Sequence, residues 1–243
     1  MKEVRYFYVP DAANQTELPQ EEAMHAMRVL RLKEGDEMFL MDGEGSFYRA
    51  QVLLAAAKRC VYQIIETNPQ EAAWDGHIHL AIAPTKMIDR IEWMAEKATE
   101  IGFDELSFLN CRFSERKTIR IDRVEKIVVS AVKQSRKAWM PKVNPLVAFK
   151  DFVSNPPAGR RFIAHCYTEI PSVDLYGELQ KPVKSPDDAH VTVLVGPEGD
   201  FSIDEVRMAI DHGFVPVTLG KSRLRTETAG LYAVMLSHLS RQK

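Results

Sequence analysis

Two short segments near the C-terminus carry residues whose types and spacing suit chemistry: VGPEGDFS (Val195–Ser202) and LGKSRLRTETAG (Leu219–Gly230). Each follows an apolar run that reads as a strand, and each opens a helical pattern. Strand-to-helix loops of this kind gather at the carboxyl edge of a parallel sheet, where α/β proteins hold small ligands. Gly196 and Gly199 permit close backbone approach to a ligand, and Glu198 between them suits a cationic group or a proton to be accepted. In the second loop Thr226 is the expected helix N-cap. Arg223 and Arg225 fall just before it, where the helix dipole disfavours cations, so an anionic partner accounts for them better than a structural role. Neither loop is a P-loop, since GK[ST] is missing, and neither is a GxGxxG dinucleotide fingerprint.

Other chemistry-bearing residues are weaker signals. His165 stands at a strand end in RFIAHCYTE with Glu169 close behind; it is either part of a site or a satisfied structural histidine. Cys166 beside it reads as packing within a strand rather than as a nucleophile. His77 and His79 alternate on one strand face, but no carboxylate or cysteine at metal-ligand spacing accompanies them, and no metal is expected. There is no Ser-His-Asp order and no nucleophile elbow.

The elements that must position these loops follow from hydrophobic period. Strand-like runs at Arg5–Val9, Glu37–Asp42, Ser46–Leu54 and Cys60–Glu66, with a turn at MDGEG and one helix over Gln20–Arg31, predict a compact β-barrel in residues 1–70. His25, Arg28 and Arg31 recur every three residues and are expected to share a helix face. The polar stretch Glu66–Gly76 reads as a linker. From residue 71 to 243 strands and helices alternate: HIHLAIAP, a helix over Met87–Ile101, ELSFLN, a helix over Ile121–Arg136, RFIAHCY, HVTVLVG and FVPVTLG, with helices starting at Ser202 and Thr226. Ser202 and Glu205 have capping-box spacing. Such alternation predicts an α/β fold with a largely parallel sheet covered on both faces.

Composition bounds the class. The 243 residues are 45% hydrophobic and 27% charged, with no apolar run of membrane-span length and no signal-peptide core at the start. Three scattered cysteines argue for a reducing cytoplasm rather than a disulfide framework. The net charge is only −2, yet between Arg112 and Lys142 ten basic residues stand among three acidic ones, a local excess of seven. That stripe ends beside Trp139 and is of the kind that meets nucleic-acid phosphates; a solvated helix face is the bland alternative.

Taken in order, HAMRVLRLKEGD, KMIDRIEWMAEKATEIGFDEL, SERK (Ser114–Lys117), VKQSRKAWMP, FIAHCYTE, LVGPEGDFSIDEV and LGKSRLRTETA resemble the ribosomal RNA small subunit methyltransferase E family, in the SPOUT class of RNA methyltransferases. The resemblance covers most of the chain. It departs from the family pattern at Ser222 and Arg223, where Arg-Ile is common, and at Lys133 and Lys137, where the family has Glu and Arg. It implies a PUA-like RNA-binding barrel in residues 1–70 and a SPOUT domain in residues 71–243 tied in a trefoil knot. A knot is a topology that general folding rules exclude by default. It further implies a homodimer and S-adenosylmethionine as methyl donor, held by His165, Val195, Gly196, Pro197, Glu198, Gly199, Leu219, Gly220, Ser222, Leu224, Thr226 and Ala229. The implied reaction is methylation of a uridine N3 in 16S rRNA of the small ribosomal subunit.

Given that substrate, the chemistry requires stabilisation of a developing uracil anion and removal of the N3 proton. Arg225 is the candidate for the first, because its guanidinium presents a permanently charged fork to a carbonyl oxygen. Glu198 or Glu227 is the candidate for the second. His25, Arg28, Arg31, Arg112, Arg116, Lys117, Arg136, Lys137 and Arg223 are the expected RNA contacts. The alternatives are a SPOUT enzyme acting on another RNA, such as a tRNA ribose 2′-hydroxyl, and a non-catalytic RNA-binding factor in ribosome assembly.

Overall fold

A computed structural model describes residues 6–242. The expected strand start at Arg5 therefore lies outside the described residues. The chain divides into two compact units, Met1–Ala72 with Val129–Met140, and Ala73–Val128 with Pro141–Lys243.

The smaller unit is a four-stranded sheet in the order β1 (Tyr6–Tyr8), β2 (Glu37–Met41), β3 (Ser46–Ala56), β4 (Arg59–Pro69). β1 runs parallel to β2, and the other pairs are antiparallel. Phe7, Leu40, Val52 and Tyr62 fill its core with Ala23 and Ala26. The β2–β3 turn is fixed by Asp42, whose carboxylate accepts from the Glu44 and Ser46 N–H groups at 2.7 and 3.0 Å and from the Tyr48 hydroxyl at 2.8 Å. β4 continues to Pro69, so the expected linker begins as strand, from Glu66 to Pro69. The expected helix over Gln20–Arg31 is shorter: α1 (Gln20–His25) passes into a π-turn over Ala26–Leu30 and ends at Arg31 in the left-handed region. An i→i+5 turn rotates differently from an α-turn, so the spacing of three no longer aligns Arg28 and Arg31 with His25.

The larger unit is a seven-stranded, wholly parallel sheet. Its strands are β5 (His77–Ile82), β6 (Glu105–Asn110), β7 (Lys142–Ala148), β8 (Arg160–Ala164), β9 (Val173–Asp174), β10 (His190–Val195) and β11 (Val215–Thr218), in the order β7-β6-β5-β10-β8-β11-β9. Between them run α2 (Ile88–Ile101), α3 (Ile121–Ser135, of which Val129 onward belongs to the smaller unit), α4 (Phe149–Ser154), α5 (Leu175–Leu179), α6 (Ile203–Asp211) and the C-terminal α7 (Thr226–Leu239). β5 and β10, at the centre, are buried along nearly their whole length, as a sheet covered on both faces requires. Ala81, Ile163 and Leu194 point to one face and pack with Phe149, Val153, Val206 and Ala209 of α4 and α6. The other face carries α7, seated so closely that a Cβ at Gly230 would lie 2.8 Å from Ile82 Cδ1 and 3.3 Å from Leu80 Cδ2.

The parallel register also supplies a carboxylate that the linear spacing hides. His79 lies opposite Glu105. Glu105 accepts from His77 Nε2 at 3.0 Å and from Asn144 at 2.6 Å, and its oxygen stands 3.9 Å from His79 Nδ1. The hydrogen bond to His77 holds the Glu105 carboxyl down at about 2. Burial pushes the His79 imidazole down to about 4, against the pull of Glu105. Below the unfolded histidine value near 6.5, the unfolded chain therefore takes up a proton that folded His79 refuses. Stability is full above pH 6.5 and falls as pH drops toward 4, by on the order of 3 kcal/mol. Urea unfolding of wild type and His79→Gln at pH 7 and pH 4.5 checks this: the variant should lose clearly less stability on acidification, and equal losses would remove His79 as the cause.

Candidate active site

Three neighbouring strands, β10, β8 and β11, end side by side, and the loops that leave them enclose a cavity of about 480 Å³, within the range of small-molecule sites. β8 lies between the two strands whose loops were expected to face each other, so residues just past Ala164 form a third wall. The α7 N-terminus closes the fourth side. Of the expected ligand residues, His165, Val195, Gly196, Pro197, Glu198, Leu219, Gly220, Ser222, Leu224, Thr226 and Ala229 line this cavity, together with Arg223 and Arg225. Gly199 and Glu227 do not line it.

Each wall is held by local chemistry. Gly196 starts a turn so tight that a Cβ there would meet the Phe201 backbone nitrogen at 2.9 Å. A Cβ at Gly199 would instead approach Phe113 Cβ at 3.3 Å. Asp200 sits at φ 66°, in the left-handed region. Its two carboxylate oxygens accept from the Phe201 N–H at 2.7 Å and the Cys166 N–H at 2.8 Å, which ties the β10 loop to the end of β8. Ser202 then caps α6 in a full capping box with Glu205, as its spacing predicts. Glu198 accepts from the Lys86 N–H at 2.9 Å through one oxygen.

The third wall corrects one expectation. β8 ends at Ala164, so Cys166 is not a packed strand residue but an exposed one at the cavity. Partial desolvation of its sulfur and the nearby Asp200 carboxylate raise the thiol's pKa, which keeps it a thiol and a poor nucleophile. His165 is buried, and desolvation lowers its pKa against the opposing Asp200 and Glu169 charges. Its Nδ1 accepts from the Tyr167 N–H at 3.2 Å, so the neutral ring carries its proton on Nε2, which is buried with no hydrogen-bond partner.

The fourth wall differs from expectation by one residue. α7 is capped by Arg225, not Thr226, and Arg225 makes no side-chain cap hydrogen bond. Thr226 is the first helical residue and is buried. Glu227 is buried beside Arg90, whose Nε stands 3.8 Å from the carboxylate. Arg90, on α2, lines the cavity, and no local motif pointed to it.

The expected RNA contacts fall into two groups. In the larger unit most of the basic residues are engaged internally. Arg116 donates to the Thr85 and Lys86 carbonyls at 3.0 and 2.6 Å. Lys117 donates to Asn110 at 3.2 Å. Arg112 meets Asp204 at 3.3 Å. In the smaller unit Arg28, Arg31 and Arg136 are exposed, while His25 is half-buried against the edge of Phe7, and Lys137 is half-buried with a pKa lowered by burial. Among the described residues no cluster of three or more His, Cys, Asp or Glu could hold a metal ion, and no helix is long and apolar enough to cross a membrane.

Comparison with known proteins agrees with this architecture in both units. A family described as an RNA methyltransferase domain matches residues 72–238, and one described as an RNA methyltransferase PUA domain matches residues 18–65. A probable rRNA-methyltransferase of Porphyromonas gingivalis is 40% identical in sequence, with 98% of each chain covered and a TM-score of 0.89. The ribosomal RNA small subunit methyltransferase E of Neisseria gonorrhoeae, solved bound to S-adenosyl methionine, is 26% identical over 96% of this chain and 95% of its own, with a TM-score of 0.82. The protein of the same name from Synechocystis is 31% identical over 86% of this chain and 68% of its own. The chain belongs to the ribosomal RNA small subunit methyltransferase E family of RNA methyltransferases.

Proposed function

We propose that the protein transfers a methyl group from S-adenosylmethionine to N3 of a uridine in the 16S rRNA of the small ribosomal subunit. The observation that carries this reading is the cavity where the β8, β10 and β11 loops meet the start of α7, in a chain of this family. The donor supplies a methyl carbon on a sulfonium, which leaves as a neutral thioether, so the residues need only hold, align and manage charge. They fit such a donor. Gly220 stands at φ 102° with nothing within 4 Å of where a Cβ would be, which leaves backbone open to a ligand. Glu198 is acidic beside the cavity, and its second oxygen makes no hydrogen bond among the described residues.

Arg225 is the residue that steadies the uracil oxygen as N3 loses its proton, with Arg223 beside it toward the RNA. Glu198 is favoured over Glu227 as proton acceptor, because it lines the cavity whereas Glu227 is buried away from it. Exposed Arg28, Arg31 and Arg136 contact phosphates, which positions the RNA without reading its sequence. We further infer a PUA-like barrel of residues 1–70, a methyltransferase domain of residues 71–243 and a cytoplasmic homodimer. The segments after β10 and β11 thread as a trefoil knot; this reading is supported by β8 lying between those two strands while α7 returns across β5 and β10.

The test is methyl transfer from labelled donor to small subunits lacking the modification, followed by nucleoside mass spectrometry. N3-methyluridine is the expected product. Label in a ribose 2′-O-methyl nucleoside would assign another RNA target, and failure to bind the donor in calorimetry would favour a non-catalytic assembly factor.

A further inference from the structure

Arg90 and Glu227 form a pair whose parts do not satisfy each other. Glu227 is 6% exposed, and its Oε2 is buried with no hydrogen-bond partner. The nearest cation to its other oxygen is Arg90, at 3.8 Å through Nε, which is an ion pair and not a hydrogen bond. The field of this buried carboxylate acts on the arginine. Arg90 itself, on α2, lines the cavity together with Arg223 and Arg225 of the loop before α7. Its side chain is 38% exposed, and its guanidinium makes no hydrogen bond among the described residues. Here a guanidinium fork is anchored by charge on one edge, with its terminal amino groups unsatisfied at the wall of a ligand cavity. Arg123, on α3, is arranged otherwise: it pairs with Glu92 of α2 at 2.6 Å.

We propose that Arg90 binds an anionic oxygen of a ligand in the cavity, and that Glu227 is the positioning residue that holds it there. The shared chemistry is a carboxylate or an enolate-type oxygen, for which a guanidinium fork is well shaped. Within the methyl-transfer reading on which the inference rests, that oxygen belongs either to the amino-acid carboxylate of the donor or to the deprotonated uracil.

Two ligands separate these sources. S-adenosylhomocysteine carries the carboxylate, and 5′-methylthioadenosine lacks it. Calorimetry of wild type, Arg90→Ala, Arg90→Lys and Glu227→Gln with both ligands is paired with single-turnover methylation of saturating small subunits. If the donor carboxylate is the partner, Arg90→Ala weakens S-adenosylhomocysteine by about 10- to 100-fold, the span of one charge-assisted hydrogen bond, and leaves methylthioadenosine unchanged. If the uracil oxygen is the partner, both affinities stay at wild type and the single-turnover rate falls by a similar factor. Arg90→Lys keeps the charge and loses the fork, so it gives a smaller change in the same measurement. Glu227→Gln moves that measurement in the same direction with methylthioadenosine binding intact, which a merely structural role would not do. Wild-type S-adenosylhomocysteine affinity and turnover in Arg90→Ala, or an equal loss of both ligands, overturns the inference. Failure of the wild type to bind either ligand overturns instead the donor reading beneath it.

Discussion

Arg225→Ala is expected to lower the methyl-transfer rate by about 100- to 1,000-fold while donor affinity and thermal stability stay near wild type. The magnitude is that of removing one preorganised donor from a developing oxyanion. The separation from stability follows from the local structure. Arg225 is the N-cap of α7, at φ −72° and ψ 156°, a conformation alanine adopts freely, and its side chain makes no cap hydrogen bond. Its truncation therefore removes no helix-stabilising contact, and a surface change of this kind alters folding by at most about 0.5 kcal/mol. Arg225→Lys should fall between the two, because it retains the charge and loses the bidentate fork. Single-turnover kinetics with calorimetry of the donor checks the pair of expectations. Wild-type turnover in Arg225→Ala would take this residue out of the reaction.

The largest stability effect is expected from Gly76→Ala. Gly76 begins the run into β5 at φ 80°, and a Cβ there would lie 2.1 Å from the Ala189 carbonyl oxygen and 2.4 Å from its carbon. Those are backbone atoms immediately before β10, the strand paired with β5, so neither can swing aside. Left-handed strain and overpacking together cost roughly 3–5 kcal/mol. In a chain of this size that lowers Tm by on the order of 10 °C. Gly213→Ala is the control in the same unit. It also has a left-handed φ, 82°, but its Cβ would meet only the far end of the Arg161 side chain at 3.2 Å, so it should lose about 1–2 kcal/mol. Equal losses in the two variants would show that the carbonyl clash contributes nothing.

What the sequence made legible follows the range of the interactions involved. The Ser202–Glu205 capping box spans three residues and is legible in the sequence, as is β6 over ELSFLN. The two loops were legible as one site because each carries its glycines and charges locally. β7 was not, because it is a half-exposed edge strand containing Pro145, which neither alternates cleanly nor fits a central strand. The helix over Gln20–Arg31 was overextended because nothing in a hydrophobic period distinguishes a π-turn from an α-turn. Arg90 was invisible for a different reason. It sits in an amphipathic helix as one more polar residue, and only the packing of α2 against α7 brings it to the cavity beside Glu227. Partners distant in sequence also engage part of the basic stripe: those of Arg112 and Arg116 lie 92 and 31 residues away in the chain.

The order of the segments around the cavity has a consequence for biosynthesis. Arg90, Ala164–Cys166, Val195–Asp200 and Thr218–Ala229 emerge from the ribosome in that order, yet they meet only when β10 has entered the sheet centre and β11 has joined its flank. The nascent chain therefore lacks this cavity for most of its translation. The cavity is completed in one step, by the last quarter of the chain.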